Sequence, residues 1–599
     1  MNTQFKTRFL PYRLAVSQLS GAVLRSLPGR TAGAIALAGL LISGCAQQPP
    51  QPDNLSQSRQ INLKAVEYTP GKLNRETLYD LIIAELAGQE EQFELSLANY
   101  IRQSRLTKDP AIAKRATYIA QYMNQPRRVL EAATLWQEAE PDNAEPYQIA
   151  ASILLQQGDF DHALPLLNKA LDHSNPQTLQ MIANSSGKLS EDERQAYIDV
   201  LSTKKTDTAN ATLLTTLGIL YKSNQQPEDA EKAFNRAIKL SPKHHGALFQ
   251  KAELLRTQGK IKEALALLKD IVEAKQPEQQ LRTLYIQLLF QDGQDKKAVD
   301  QANLLLELRR AEPQLGFYLA LLMLEKDLIE DSESVFKKIL ERYPQNTTPY
   351  YYLGLIELQR ENDEQALEYF TKVKDPNNLL PALSRISDLL DNADKRVQFQ
   401  TIMREARNTT PERAVQIFII EAEWLDLHDY KDAAINLLDE ALQRDAEDIA
   451  LLYARAMMMS PQDFKLMEQD LRKVLELDPE NSMAMNALGY TLTLYTDRYD
   501  EALELIRQAL KITPDDAAVL DSMGWILYKL NRNEEALPFL ERAYKMFPDA
   551  EVAGHLIQVY FAQGQVAEAM SLLEKSQAEH PDNLYIIEAA EAIGKTAAN

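Results

Sequence analysis

The sequence predicts an all-α fold, a superhelical solenoid of about fourteen helix pairs. Small residues recur every 34 positions, prolines recur at multiples of that interval, and apolar residues within each interval follow the spacing of one helix face. Ala230, Ala264 and Ala298 are each 34 residues apart, and Pro242 and Pro344 differ by 102 residues, three intervals. Such repetition indicates stacked units, because one unit cannot bury its apolar face alone.

The amino-terminal segment, residues 1–44, has the order of a secretory signal peptide. Residues 1–30 contain five basic residues and no acidic one, and residues 31–44 (TAGAIALAGLLISG) are apolar and small. A helix of this apolar length spans about 21 Å at 1.5 Å per residue, which is less than a membrane-spanning helix needs. The sequence therefore predicts a signal peptide rather than a transmembrane anchor.

The only cysteine of the chain, Cys45, follows Ile42, Ser43 and Gly44. This order of an aliphatic residue, two small residues and cysteine resembles the bacterial lipobox. The resemblance implies cleavage before Cys45, a diacylglycerol on its thiol and acylation of the new amino terminus; the alternative is an ordinary signal peptide with an incidental cysteine. The next residue is Ala46, and an alanine at this position resembles the lipoproteins of Gram-negative bacteria that are sorted by default to the outer membrane. We therefore expect a lipid-anchored outer-membrane protein that faces the periplasm.

Residues 45–74 read as the lipidated cysteine and a polar tether, because "QQPPQPDNLSQSRQ" is rich in proline and polar residues. Removal of residues 1–44 leaves 60 basic and 86 acidic residues, a net charge of −26. Such a charge argues against nucleic acid and anionic membrane surfaces as partners. No later run of residues is apolar and long enough to cross a bilayer.

One repeat unit, residues 212–242, shows how the pattern predicts a helix pair. Leu214, Gly218 and Tyr221 lie at i, i+4 and i+7, on one helix face. Pro227 suits the first turn of a second helix, which continues through Ala230. Gly218 and Ala230 are small, as two closely crossing helices require.

These units resemble the tetratricopeptide repeat, a helix–turn–helix of 34 residues. The match is strongest in residues 519–548, which carry the family positions Leu520, Gly524, Leu527, Ala536, Leu540, Ala543 and Pro548. The resemblance covers nearly all of residues 75–594 and implies a solenoid that binds proteins. It divides the chain into N-terminal repeats (75–174), a degenerate repeat (175–210), central repeats (211–374), a second degenerate repeat (375–414), C-terminal repeats (415–581) and a capping helix with a tail (582–599).

Motifs for chemistry are absent from the sequence. None of the seven histidines has metal-binding spacing, and no Gly-x-Ser-x-Gly or phosphate-loop pattern occurs. We therefore expect no enzyme, no catalytic residues, no metal, no cofactor and no small-molecule substrate.

The family arrangement places positions 5, 9 and 12 of each unit in a groove on the concave side. In two consecutive units these positions are apolar; they are Phe317, Leu321 and Leu324, then Tyr351, Leu355 and Leu358. They either line a groove for a partner or pack against another turn of the same superhelix.

A second candidate groove surface lies in the C-terminal repeats. It comprises Trp525 and Tyr528 with Asp521, beside Asn486 and Tyr490. Tryptophan and tyrosine are favoured anchors in protein interfaces. The alternative is an ordinary contact between repeats.

Lipobox, tether and a long acidic solenoid together resemble lipoprotein adaptors of periplasmic carboxyl-terminal processing proteases. The resemblance implies that the protein binds such a protease and its substrates, cell-wall hydrolases, and promotes their proteolysis. The alternative is an assembly lipoprotein for a pilus or an exopolysaccharide secretion machine, which shares the lipobox and the repeats.

Overall fold

A computed structural model describes residues 74–170, 176–203, 210–273, 278–309 and 312–597. These residues form 31 α-helices, and no strand occurs among them. The helices make fifteen successive pairs followed by a single helix, one pair more than the sequence predicted. The all-α repeat fold is thereby confirmed, whereas the predicted signal peptide, the lipobox residues Ile42, Ser43 and Gly44, and Cys45 lie outside the described residues.

The helices of the first half are short and similar in length. They are α1 (Arg75–Gln89), α2 (Phe93–Thr107), α3 (Pro110–Tyr122), α4 (Pro126–Ala139), α5 (Ala144–Gln157), α6 (Phe160–Ala170), α7 (Pro176–Ser185), α8 (Glu191–Ser202), α9 (Ala211–Ser223), α10 (Pro227–Leu240), α11 (His245–Thr257), α12 (Ile261–Val272), α13 (Gln279–Gln291), α14 (Asp295–Leu308), α15 (Pro313–Glu325) and α16 (Ile329–Arg342).

The second half continues the same alternation. Its helices are α17 (Thr348–Gln359), α18 (Asp363–Thr371), α19 (Leu379–Leu389), α20 (Arg396–Thr409), α21 (Ala414–Leu427), α22 (Lys431–Leu442), α23 (Ile449–Met458), α24 (Phe464–Leu477), α25 (Ser482–Tyr495), α26 (Tyr499–Ile512), α27 (Ala517–Lys529), α28 (Asn533–Met546), α29 (Ala550–Ala562), α30 (Val566–Glu579) and α31 (Leu584–Ala597).

Glycines mark the points where the two helices of a pair cross. A methyl group added at Gly218 would lie 2.3 Å from the ring of Phe234, and one added at Gly524 would lie 2.4 Å from Leu540. Both distances are far below van der Waals contact, so the crossing leaves no room for a side chain. The sequence-based requirement for a small residue at Gly218 is met at this contact.

The turns inside the pairs use a left-handed residue that need not be glycine. Gly158 and Gly259 adopt positive φ angles of 78° and 74°, but Gln225 and Asn531 adopt 58° and 60° in the corresponding kind of turn. The left-handed residue lets the chain leave one helix and enter the next within a few residues. Non-glycine residues accept this conformation at a small local cost.

The described chain divides into two compact units at Asp331 and Ser332, inside α16. In the first unit, Trp136 and Tyr197 are among the largest fully buried side chains. At its beginning, Asp80 of α1 is buried and accepts hydrogen bonds from Arg102 and Gln103 of α2. This polar contact fixes the first helix pair because a buried carboxylate needs partners.

The second unit has an almost continuous apolar core that runs from Tyr351 to Val559. Within it, Trp424 stacks on Phe399 at 4.7 Å between ring centroids, and its Nε1 donates to the carbonyl of Leu390 at 3.2 Å. Arg455 makes a two-point contact with the buried carboxylate of Asp470 at 2.7 and 2.8 Å. The half-buried Arg455 and the buried Trp424 are therefore hydrogen-bonded, as interior polar groups generally are.

The two stretches assigned as degenerate repeats each contain one helix pair. Helices α7 and α8 lie in residues 175–210, and helices α19 and α20 lie in residues 375–414. Leu383, Ile386 and Met403 of the second stretch are buried in the core of the second unit.

Candidate protein-binding surfaces

The apolar groove candidates occupy helices α15 and α17, one in each unit. Phe317, Leu321 and Leu324 of α15 are half-buried, in the unit that ends at Asp331. They retain exposed apolar surface, which is the property a protein-binding helix face needs.

In the second unit, Tyr351 of α17 is buried, whereas Leu355 and Leu358 are half-buried and pack against the core. The ring of Tyr351 lies 5.9 Å from that of Phe370 and 5.4 Å from that of Tyr352. Burial raises the pKa of its hydroxyl. Tyr351 thus takes part in the packing between helices, and the exposed part of this surface belongs to the two leucines.

The second candidate, in the C-terminal repeats, forms a stack of rings. Trp525 of α27 is only 5 % exposed. Its ring stacks on His555 of α29 at 3.9 Å and on Tyr528 at 5.1 Å, and the Nζ of Lys529 lies 4.4 Å from its centroid. Tyr528 is half-buried, so the stack has one partly open end. Trp525 therefore joins two neighbouring repeats and also lies beside the surface.

His555 is held by a carboxylate of the preceding repeat. Its Nδ1 lies 2.9 and 3.0 Å from the two carboxylate oxygens of Asp521, and both side chains are buried. Burial lowers the pKa of His555, but the charges of Asp521 and Glu551 and the hydrogen bond to Asp521 raise it, and the net direction is upward. When protonated, the imidazole forms a buried ion pair with Asp521.

A third contact links repeats that are not neighbours in sequence. The hydroxyl of Tyr490 in α25 donates to the carboxylate of Glu551 in α29. Burial raises the pKa of both groups, although the hydrogen bond from Tyr490 and the charge of His555 lower that of Glu551. We call these six residues the C-terminal cluster: Tyr490, Asp521, Trp525, Tyr528, Glu551 and His555.

Two buried polar atoms of residues that the sequence predicted for this region lack a hydrogen-bond partner. They are the Nε1 of Trp525 and the Oδ1 of Asn486, one donor and one acceptor. An unpaired buried polar group carries a free-energy penalty of about 1–3 kcal/mol, which a bound polar ligand or water relieves.

Sequence reasoning placed Asp521, Trp525, Tyr528, Asn486 and Tyr490 in this region but missed the two residues that organise it, His555 and Glu551. His555 lies 34 residues after Asp521, one repeat interval. The signal that would have found it is a pair of opposite charges separated by one repeat, because equivalent positions in neighbouring units lie side by side.

The described residues show no arrangement for catalysis by a metal. No group of three or more His, Cys, Asp or Glu side chains among them is placed to hold a metal ion. In the same part of the chain, no helix has both the length and the apolar character needed to cross a membrane.

Comparisons with known proteins agree with the repeat geometry. Models described as tetratricopeptide repeat match residues 215–279, 480–549 and 527–590. The TPR repeat-containing protein PA4667 of Pseudomonas aeruginosa is 30 % identical over 525 residues, which are 86 % of this chain and 88 % of that protein. The chain belongs to the tetratricopeptide-repeat family.

Other similar proteins match this chain less well. The peroxisomal targeting signal receptor of Eremothecium gossypii is 24 % identical over 37 % of this chain and 32 % of its own length. The structure of the APC/C hetero-tetramer Cut9–Hcn1 matches with 16 % identity and a TM-score of 0.32, over 87 % of this chain and 96 % of its own. The structure of Naa15/Naa10 bound to HypK-THB matches with 12 % identity and a TM-score of 0.31, over 88 % of this chain and 97 % of its own. The repeats of this family form scaffolds for protein–protein interaction, and the family is typically non-catalytic.

Proposed function

We propose that this tetratricopeptide-repeat protein is a non-enzymatic scaffold attached to the outer membrane through lipidated Cys45. In this role it faces the periplasm and holds a carboxyl-terminal processing protease together with cell-wall hydrolases, which the protease degrades. The observation that carries the proposal is the sequence Ile42-Ser43-Gly44-Cys45 directly ahead of a repeat array that fills the described chain.

The mechanism is an increase in effective concentration. A protease and a substrate bound to one scaffold meet as neighbours rather than by free diffusion, which raises the encounter rate without a new catalytic group. Fifteen helix pairs offer separate faces for two proteins, because each repeat contacts mainly its neighbours and keeps its remaining surface free.

The C-terminal cluster is the surface we assign to one of these proteins. Tyr528 presents a half-buried aromatic ring stacked on the buried ring of Trp525. A partly exposed aromatic ring suits a polypeptide partner, because aromatic side chains are favoured anchors in protein interfaces. Leu321 on α15 and Leu355 on α17 supply further apolar contact surface in their own units.

The decisive experiment is reconstitution of proteolysis. Purified protease and hydrolase are mixed with the full chain, and the rate of hydrolase degradation is followed by gel electrophoresis. We expect the scaffold to accelerate degradation and Tyr528→Ala to remove most of that acceleration. Tyr122→Ala is the matched control because Tyr122 is exposed and lies far along the sequence, on α3.

The alternative role, assembly of a pilus or exopolysaccharide secretion machine, predicts a different set of partners. Affinity purification of the full chain from cross-linked cell envelopes, followed by mass spectrometry, separates the two roles. Recovery of the protease with a hydrolase supports the proposal. Recovery of an outer-membrane secretion channel with no protease contradicts it.

The lipid anchor has its own test. Replacement of the single cysteine by Cys45→Ser should move the protein from the outer-membrane fraction to the soluble periplasmic fraction and abolish incorporation of labelled palmitate. An unchanged distribution between the fractions would exclude Cys45 as the attachment point.

A further inference from the structure

The first described helix, α1, carries an exposed apolar stripe. Leu78, Tyr79, Ile82 and Leu86 are 54, 64, 50 and 52 % exposed. They lie on one face of the helix because Leu78 and Tyr79 precede Ile82 by four and three residues, and Leu86 follows it by four. The opposite face is buried against α2 through Thr77, Asp80, Ala84 and Ala87. We call the four exposed residues the α1 stripe.

An apolar stripe at this place in a repeat array is unusual. Inside an array, the next unit covers each such face, and terminal units usually present a polar surface instead. The structure describes no residue before Asn74. The residues that it does describe leave at least half of each side chain of the α1 stripe exposed. Exposed apolar groups that form a contiguous patch mark interaction surfaces.

Three residues of the α1 stripe are spaced evenly about Ile82. Leu78 lies four residues before Ile82, and Leu86 lies four residues after it. Beyond them, Arg75 lies seven residues before the centre and Glu90 eight residues after it. Both charged side chains are exposed, and neither has an ion pair within the described part of the chain.

This symmetry determines what kind of partner fits. If a two-fold axis passes through Ile82, a second α1 runs antiparallel to the first, and Leu78 meets Leu86 of the second copy. At 1.5 Å per residue, Arg75 at the first position of α1 and Glu90, the residue just after its last, are about 10 and 12 Å from the axis on opposite sides. Each Arg75 therefore lies opposite Glu90 of the second copy, so unlike charges meet at both ends of the stripe.

We propose that the α1 stripe is a homodimerisation surface that pairs antiparallel with the same helix of a second copy of this chain. The contact is isologous, because the same patch serves both partners. Leucine and isoleucine side chains exclude water at its centre, and the two Arg75–Glu90 pairs set the orientation. One helix from each partner makes an interface at the small end of the range, so we expect micromolar affinity.

The first experiment measures mass against concentration. The full chain with Cys45→Ser, which removes the thiol and any lipid at that position, is followed by sedimentation velocity through the micromolar range. We expect a reversible monomer–dimer equilibrium that Ile82→Glu abolishes. Leu240→Glu is the control, since Leu240 is equally exposed on α10 and should leave the equilibrium unchanged. A monomer throughout, or an unchanged dimer in Ile82→Glu, overturns the proposal.

The second experiment tests the two-fold arrangement itself. Arg75→Glu places two carboxylates against each other at both ends of its homodimer, and Glu90→Arg places two guanidinium groups there. Each variant alone should associate at least tenfold more weakly than the parent chain. A mixture of the two variants restores an opposite-charge contact at both ends of the stripe, so it should form a heterodimer more readily than either variant pairs with itself.

The same mixture separates a second copy from other occupants of the stripe. A surface for an unlike partner gives no selective association between Arg75→Glu and Glu90→Arg. In a parallel pair of helices, like charges already face each other in the parent chain, so neither single variant would associate more weakly than the parent. Either result overturns the proposal even if each variant remains folded, which circular dichroism verifies. Both substituted residues are exposed, so the helix content should not change.

Discussion

The two ends of the described repeat array differ in how their last apolar face is covered. At the carboxyl end, α31 packs on α29 and α30, and Ile586 and Ala589 are fully buried against Ile557 and Leu573. At the amino end, α1 keeps the α1 stripe exposed. The difference shows that an array of interchangeable units needs a distinct solution at each end, because only interior units have neighbours on both sides.

The largest expected effect comes from weakening the packing of α31, the helix that covers the carboxyl end of the described array. Ile586→Ala leaves a cavity beneath α31, and removal of such a buried side chain costs about 2–5 kcal/mol. Hydrogen exchange of the amides of α29–α31 measures it, since repeat arrays open locally rather than all at once. Ile587→Ala is the matched control because its side chain is exposed. A loss below about 1 kcal/mol would show that α31 is not firmly packed.

A smaller effect tests how closely α31 packs against α29. A methyl group at Gly554 would lie 2.8 Å from the carbonyl oxygen of Tyr585, a backbone atom that cannot rotate away. Gly554→Ala should therefore push α31 outward and cost about 1–3 kcal/mol in the same exchange measurement.

Gly594→Ala gives the contrast within α31. Its added methyl group meets nothing within 4 Å, so the substitution should stabilise the helix by about 0.5–1 kcal/mol. Equal effects of the two alanines would contradict the close approach at Gly554.

The next prediction concerns the pH dependence of the carboxyl end. The pKa of His555 is raised above its ordinary value of 6.5, so protonated His555 contributes stability that is complete below that value and is lost as the pH rises through the folded-state pKa. Its surroundings are Asp521 and Lys529 on α27, Glu551 on α29, Tyr490 on α25 and Tyr585 on α31.

Glu551 acts in the same direction at lower pH. Burial raises its pKa above 4.5, so its protonated form is favoured and stability declines as the pH rises through that higher value. In the parent chain, we expect the hydrogen-exchange protection of α27 and α29 to fall as the pH rises above 6.5. In His555→Gln, this part of the pH dependence should disappear. His580→Gln, at an exposed histidine, should keep the parental slope, and a parental slope in His555→Gln would assign the dependence to another group.

The smallest expected effect is at the amino end. Ile82→Ala removes a side chain that is half in water, so the monomer should lose no more than about 0.5 kcal/mol. Exchange of the α1 amides at low protein concentration measures this change. A cost comparable with that of Ile586→Ala would mean that the α1 stripe is covered in the monomer.

The fold was largely predictable because a repeat makes the same local choices many times. The 34-residue interval and the small residues at Gly218 and Gly524 indicate closely crossing helix pairs, which the structure contains. The turns were less predictable, since Gln225 and Asn531 adopt the left-handed conformation that usually marks glycine. The structure has fifteen helix pairs, against the prediction of about fourteen.

The candidate surfaces were predictable only as positions. The repeat register placed Trp525, Tyr528 and Tyr490 on one side of their helices, and all three belong to the C-terminal cluster. It did not indicate that Trp525 is buried by His555, nor that Tyr490 reaches Glu551 two repeats later. Those contacts depend on the angle between successive helix pairs, which many small packing differences determine together.

The sequence by itself determined the helical period, the pairing of neighbouring helices and the symmetric spacing of Leu78, Ile82 and Leu86, because these follow from residues close together in the chain. Only the tertiary structure decided which faces remain open. The α1 stripe is exposed because no described unit precedes it, whereas Ile586 is buried because α31 folds back onto α29. Exposure is a property of neighbours in space, and a local pattern cannot specify it.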